Sequence, residues 1–126
     1  MRTVVVPRAD WPATLDEFST AHQGRRISLD LLIPDMGAQP EIRELPLCGV
    51  TAELTSRDST ITIAAGWKDS EQITHTIHAP TLVQLEQRDD GADVALAVES
   101  ADHTRAILRI TSPAIPEPVD RLPRTV

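Results

Sequence analysis

Two histidines stand three residues apart in "ITHTIHAPT", residues 73–81, in a chain with only four histidines. Imidazoles at this spacing converge on one metal ion when the segment is helical, because residues three apart share a helix face. The β-branched residues around His75 and His78 favour a strand instead, and on a strand these two side chains point to opposite faces. We therefore predict no metal site, with His75 beside Ile73 and Ile77 and His78 facing solvent.

His22 and Cys48 are the other residues whose chemistry could support catalysis. His22 could pack against Phe18, or it could act as a general base with Cys48 or a carboxylate. Asp16 and Ser19 point away from His22 at their helical spacings, and no cysteine-hydrolase signature surrounds Cys48. We expect Cys48 to be a small buried residue and predict no catalytic residue.

Charged residues cluster at two further places. In "RDDGAD" the register of a calcium loop is absent, whereas Asp90-Gly91 is a strong hairpin signal. Arg105 and Arg109 would share one strand face with Ile107 between them. That pattern fits either a binding site for a small anion or carboxylate, or an exposed face that contacts another subunit.

Composition excludes several functional classes. The formal net charge is −7, which disfavours nucleic acid, and the three aromatic residues (two Trp and one Phe) offer little surface for base stacking. The longest apolar run is far too short to span a membrane. A single cysteine cannot form an internal disulfide and fits a reducing compartment, so we expect a cytoplasmic protein without cofactors.

The first regular element is a helix in "RADWPATLDEFSTAHQG". Asp10 is the expected N-cap and Gly24 the stop signal, while Trp11, Leu15, Phe18 and His22 form one apolar stripe; these positions define the helix.

From residue 26 onward the period changes from 3.6 to 2, which predicts strands. Strand patterns occur in "RISLDLLI" (26–33), "VTAEL" (50–54), "STITIAAGW" (59–67), "VALAVES" (94–100) and "TRAILRI" (104–110), in addition to 72–78. The prolines of 34–49 predict a loop with an edge strand there. The short connections leave no room for crossover helices, so the strands should be antiparallel.

These patterns predict an α+β fold: one N-terminal helix followed by a mostly antiparallel, curled or barrel-like sheet of about seven strands. Residues 1–110 would form a single domain, and the proline-rich residues 111–126 a flexible or extended tail. Leu32, Leu82 and Ile107 fall on strand faces that should meet solvent. A sheet this wide with one covering helix makes self-association an expectation.

Four segments carry a resemblance to a known family: "W…LDEFSTAHQG" (11–24), "GAQPEIRELPLCGV" (37–50), "IHAPTLVQLEQRDDGADVALAVESAD" (77–102) and "TRAILRI" (104–110). They resemble a family of small bacterial proteins known only as a domain of unknown function. The resemblance covers nearly the whole domain and implies no activity or cofactor. His103 stands where that family usually has the Gly of an Asp-Gly turn. A His can adopt positive φ only at a cost, so we expect any departure from the family in this turn and not in the strands.

Within the resembling motifs, packing alone does not explain four polar residues, namely Ser19, His22, Gln39 and Thr81. If the domain has a site, we expect it where the end of the helix meets the 37–39 loop and Thr81.

Three functions remain open. The first is a non-catalytic interaction module that forms a homodimer. The second is a small-ligand binder whose pocket lies inside the curled sheet, with His75 or Arg105 orienting the ligand. The third, an enzyme, requires His22 within hydrogen-bonding reach of Cys48 or a carboxylate.

Overall fold

A computed structural model describes residues 1–112 of the chain. A short strand precedes the helix, and seven further strands follow it. The elements are β1 (Arg2–Val5), a 3-10 turn (Arg8–Asp10), α1 (Trp11–His22), β2 (Arg26–Ile33), β3 (Gly37–Glu53), β4 (Thr60–Ala65), β5 (Ile73–His78), β6 (Pro80–Gln87), β7 (Asp93–Ser100) and β8 (Arg105–Ile110).

All eight strands belong to one antiparallel sheet with the order β1-β6-β7-β8-β2-β3-β4-β5. The α+β class and the antiparallel pairing are confirmed, but the sheet has eight strands rather than about seven. Two strands had no alternation pattern assigned: β1, in the Val-rich N-terminus, and β6, with which β1 pairs. Conversely, the expected edge strand and residues 50–54 belong to one strand, β3. A barrel is not confirmed, because within residues 1–112 no ladder joins the two end strands β1 and β5. The tail predicted from residue 111 lies, from residue 113 onward, outside the described residues.

Helix α1 presents the predicted stripe to the core, with Trp11, Leu15, Phe18 and His22 all buried. Asp10 holds the predicted N-cap position but does not act as a cap, because its φ and ψ are helical and its side chain makes no capping hydrogen bond. The 3-10 turn that runs directly into α1 accounts for this, since it already gives Asp10 helical dihedrals. Gly24 ends the helix with φ of 85°.

The longest strand is β3, which was expected to be a loop with an edge strand. It runs unbroken for 17 residues because its two halves have different neighbours: Gly37–Pro46 pairs with β2, and Leu47–Glu53 pairs with β4. Each half therefore has a strand on one side only, a setting that tolerates prolines such as Pro40 and Pro46. A register shift between Leu47 and Gly49 lies where the partner changes, and such irregularities bend a strand.

The open side of the second half of β3 is covered by α1 and the turn after it. Leu47 exchanges two backbone hydrogen bonds with Gly24 and Arg25, each 2.9 Å long. Ser19 Oγ accepts a hydrogen bond from the Val50 N–H at 2.7 Å and lies 2.8 Å from the Val50 carbonyl oxygen. The helix thus satisfies backbone groups that a neighbouring strand would otherwise bind, and this fixes its position on the sheet.

The two faces of the larger part of the sheet, formed by β1, β6, β7, β8, β2 and the first half of β3, differ in composition. The inner face carries the core, including Leu29, Val83, Leu96, Val98 and Leu108, each at most 1% exposed. Residues that alternate with these point outward, and no element of residues 1–112 covers them. Leu32, Leu82 and Ile107 all lie on this outer face, as the alternation predicted, with Arg105 and Glu99 between Leu32 and Leu82.

Candidate functional site

Three charged or titratable side chains meet where α1 ends. His22 Nε2 lies 2.8 Å from Asp93 Oδ2, and His22 Nδ1 lies 3.1 Å from Arg25 Nη1. Asp93 begins β7 and also accepts a hydrogen bond from Gln87 Nε2 at 2.9 Å. Arg25 donates a second hydrogen bond, from Nη2 to the carbonyl oxygen of Ser112 at 2.9 Å. The side chains form a continuous chain of polar contacts from β6 to the end of the described residues.

The partners of His22 determine its proton arrangement. A guanidinium can only donate, so Nδ1 accepts from Arg25 and carries no proton. Nε2 then carries the proton and donates it to Asp93, with the imidazole neutral. His22 is within reach of a carboxylate, as the enzyme hypothesis required. However, both ring nitrogens are already bonded, so no lone pair remains to take a proton from a substrate. The arrangement is suited to holding α1 against β7.

An open cleft of about 630 Å³ lies beside this chain of contacts. Its polar residues include His22, Arg25 and Asp93, and its apolar lining includes Ala21, Val94 and Ile110. The amino group of Met1 and the Arg88 side chain stand at the cleft, each already facing an aspartate: Asp89 at 2.8 Å and Asp90 at 3.4 Å, respectively.

The other polar residues expected near His22 lie elsewhere. Ser19 bonds to the Val50 backbone, and Gln39 Nε2 donates to the Met36 carbonyl oxygen at 3.4 Å in the β2–β3 turn. Thr81 donates to the Glu99 carbonyl oxygen near the Pro80–Ser100 end of the β6–β7 pair, whereas His22 contacts the opposite end, roughly 20 Å away. Four strand spacings, about 19 Å, separate Gln39 from Thr81. The structure does not bring these four residues together.

His75 and His78 lie on a strand, as predicted, and on its two different faces. His75 shares the inner face with the buried Ile77 and lies 3.7 Å from Glu41, while His78 is exposed. Residues 1–112 contain no group of three or more His, Cys, Asp or Glu side chains placed to hold a metal ion. Cys48 is half-buried, and its Sγ lies 3.8 Å from the Gly66 carbonyl oxygen, so it is not a partner of His22.

A smaller cleft of about 360 Å³ lies next to His75, between β5 and the inner face near Leu31 and Ile33. Arg105 cannot share a ligand with His75 there, because Arg105 belongs to the outer face. It binds Glu99 at 3.1 Å and Gln84 at 3.3 Å. Arg109 pairs with Asp30 at 3.1 Å on the same face.

Sequence reasoning did not identify Arg25 or connect Asp93 to His22. Asp93 was considered only as part of an acidic hairpin, because 71 positions separate it from His22. The only local signal was that a chain with few histidines places one on the apolar stripe of a helix, where an imidazole needs polar partners when buried.

A family model matches residues 2–119, and it describes a family of unknown function, DUF5335. The chain belongs to this family. No curated protein and no solved structure matches it. In the part of the chain that the structure describes, no helix has the length and apolar character needed to cross a membrane.

Within this DUF5335 domain, the motif segments quoted above contact one another. The helix motif reaches "GAD" through His22 and Asp93, and it reaches "LPLCGV" through Ser19 and Val50. The "SAD" turn is stabilised by a hydrogen bond within it: Ser100 Oγ donates to Asp102 at 2.6 Å, and this bond is the largest cause of the lowered pKa of Asp102. His103 completes that turn with φ of 71°.

Proposed function

We propose that this chain is a non-catalytic interaction module of the bacterial cytoplasm that acts as a homodimer through the outer face of its sheet. The supporting observation is a sheet face that no element of residues 1–112 covers and on which apolar side chains alternate with charged ones. Its solvent-accessible apolar members are Val5, Leu32, Leu82 and Ile107, and the small side chains of Ala95 and Ala97 lie buried between their larger neighbours. We call this set, with the charged residues between its members, the outer face.

Charge on the outer face supports a second copy as the partner. The charged residues are Asp30, Glu86, Glu99, Arg105 and Arg109, so three negative and two positive charges sum to −1. The whole chain carries −7, so most of the repulsion between two copies comes from other surfaces. In a two-fold dimer each arginine of one copy can approach a carboxylate of the other.

The dimensions of the outer face set the expected affinity. Across its six strands the outer face is five strand spacings, about 24 Å, wide. Along the strands, the distance from Leu82 to Glu86 gives it a length of about 14 Å. With the side chains at its rim the face covers roughly 600 Å², somewhat less than the ~800 Å² per partner of a standard interface. We therefore expect a dimer that dissociates in the micromolar range.

The test is sedimentation velocity across about 1–100 µM, where an interface of this size should dissociate. The wild type should reach twice 13.8 kDa, whereas Ile107→Glu, which places two extra carboxylates in the dimer interface, should remain monomeric. Ile73→Glu makes the same change on β5, outside the outer face, where the side chain is 42% exposed. It should leave the dimer intact.

A monomeric wild type throughout this range would refute the dimer. Loss of the dimer in Ile73→Glu but not in Ile107→Glu would show that another surface associates.

Small-ligand binding is the second candidate, and the two clefts favour it. They lie at the ends of the packed core, not within it, since the strand residues between them are almost fully buried. Native mass spectrometry of protein purified without added metal would detect a bound compound as a discrete additional mass.

A further inference from the structure

The larger cleft contains a cation that contacts no carboxylate within residues 1–112. Arg25 pairs with no carboxylate there: its Nη1 and Nη2 bond to neutral acceptors, the His22 ring and the Ser112 carbonyl oxygen. Its Nε is buried and has no hydrogen-bond partner among these residues. A buried donor on a charged group is costly when it makes no hydrogen bond.

Neighbouring charges do not supply the missing anion. Asp93 is the carboxylate of the cleft, but it accepts hydrogen bonds from His22 and Gln87. Met1 and Arg88 already have aspartate partners, so they add little net positive charge. Arg25 and Asp93 carry one charge each, of opposite sign, with the neutral His22 ring between them, so the cleft is close to neutral overall and suits a monoanion at Arg25 better than a phosphate dianion.

The shape and walls of the cleft indicate the rest of the ligand. A volume of about 630 Å³ is typical of small-molecule sites. Ala21, Ala92, Val94 and Ile110 supply apolar wall next to Arg25. A guanidinium matches a carboxylate in planarity and donor spacing. We propose that this cleft binds a small monocarboxylate with an apolar body, held by Arg25.

The carboxylate could come from two sources. One is a free carboxylic acid, and the other is this chain itself, because Glu117 and Asp120 follow Ser112 in sequence but lie outside the described residues. Both sources share the same chemistry at Arg25, and the experiment separates them. The proposal does not depend on the dimer, because the cleft lies at the end of α1 rather than on the outer face.

The experiment is a two-dimensional 1H–15N NMR titration of the full-length protein with sodium hexanoate, using hexanamide as the neutral probe of similar shape. We expect saturable shifts at Ala21, Ala92 and Val94 with hexanoate up to roughly 10 mM, the range of a weak single-contact ligand. Hexanamide should bind at least about tenfold more weakly, because it lacks the charge-assisted bond. Equal binding of the two probes would overturn the proposal.

Two variants test the role of Arg25. Arg25→Gln should abolish the hexanoate shifts, and Arg26→Gln is the matched control, because Arg26 is exposed and does not line the cleft. If Arg25→Gln unfolds, the comparison of hexanoate with hexanamide on the wild type still decides the matter. Loss of binding in Arg26→Gln alone would contradict the assignment.

If the wild type shows no shifts with hexanoate, the same titration is repeated on the Glu117→Gln, Asp120→Asn double variant, which lacks both candidate carboxylates of the chain itself. Hexanoate binding by that variant would support the proposal with the chain's own carboxylate as the occupant. Failure of both proteins to bind would overturn it.

Discussion

Ser19 provides the sharpest test of how the helix is held on the sheet. Val50 is fully buried, and its N–H donates to Ser19 Oγ at 2.7 Å. Ser19→Ala leaves that N–H without a partner, which costs about 2 kcal/mol of unfolding free energy. The single hydroxyl proton of Ser19 is shared between the carbonyl oxygens of Val50 and Leu15. Its loss therefore adds only roughly 1 kcal/mol to the cost in unfolding free energy.

Alanine is a better helix former than serine, which offsets about 0.5 kcal/mol of this loss. The expected net destabilisation is therefore about 2 to 3 kcal/mol. Urea denaturation followed by circular dichroism would measure it, with an unchanged slope m showing that the folded and unfolded states remain comparable.

Thr20→Ala is the matched control, because Thr20 is the next residue on α1 and is exposed. It should change stability by no more than about 0.5 kcal/mol, in the stabilising direction. If Ser19→Ala cost less than about 0.5 kcal/mol, water would be replacing the hydroxyl. The account of α1 as a substitute for a neighbouring strand would then be wrong.

Two further predictions concern the turn between β7 and β8. Ser100→Ala should raise the pKa of Asp102, which the Ser100 hydroxyl holds below its ordinary value in the wild type, and an NMR titration of the carboxyl carbons would show it. Because the folded-state pKa of Asp102 is lowered, its contribution to the stability of the wild type is present above the unfolded-state pKa and is lost as pH falls through the folded-state pKa. The stabilities of the wild type and Ser100→Ala should therefore become equal in acid. An unchanged Asp102 pKa in the variant would contradict the hydrogen bond. His103→Gly should stabilise the protein by about 0.5 kcal/mol, since glycine removes the strain of φ at 71° but loses more chain entropy on folding, and a lower melting temperature would show that the His103 side chain contributes to the turn.

Features that depend on local periodicity could be predicted from the sequence. The stripe from Trp11 to His22 and the strand Arg26–Ile33 were identified because an amphipathic element repeats its apolar side chains at its own period. The Asp90-Gly91 hairpin also followed from local conformational preference, and Gly91 does adopt positive φ.

The site could be predicted only in part. His22 was singled out by type and position, but Ser19, Gln39 and Thr81 were expected beside it and lie elsewhere. Their placement depends on strand order, and no local pattern specifies which strand of an antiparallel sheet lies next to which.

What the sequence alone determined is therefore the set of elements and the face that each buries, since side-chain alternation and helical spacing are properties of short segments. Only the tertiary structure decided that β3 runs through two prolines by changing its partner from β2 to β4. It also decided that Ser19 completes the hydrogen bonds of Val50 and that Asp93 meets His22. Each of these contacts satisfies a buried polar group, and its partner is chosen by the packing of distant segments, which the residues nearby in sequence do not encode.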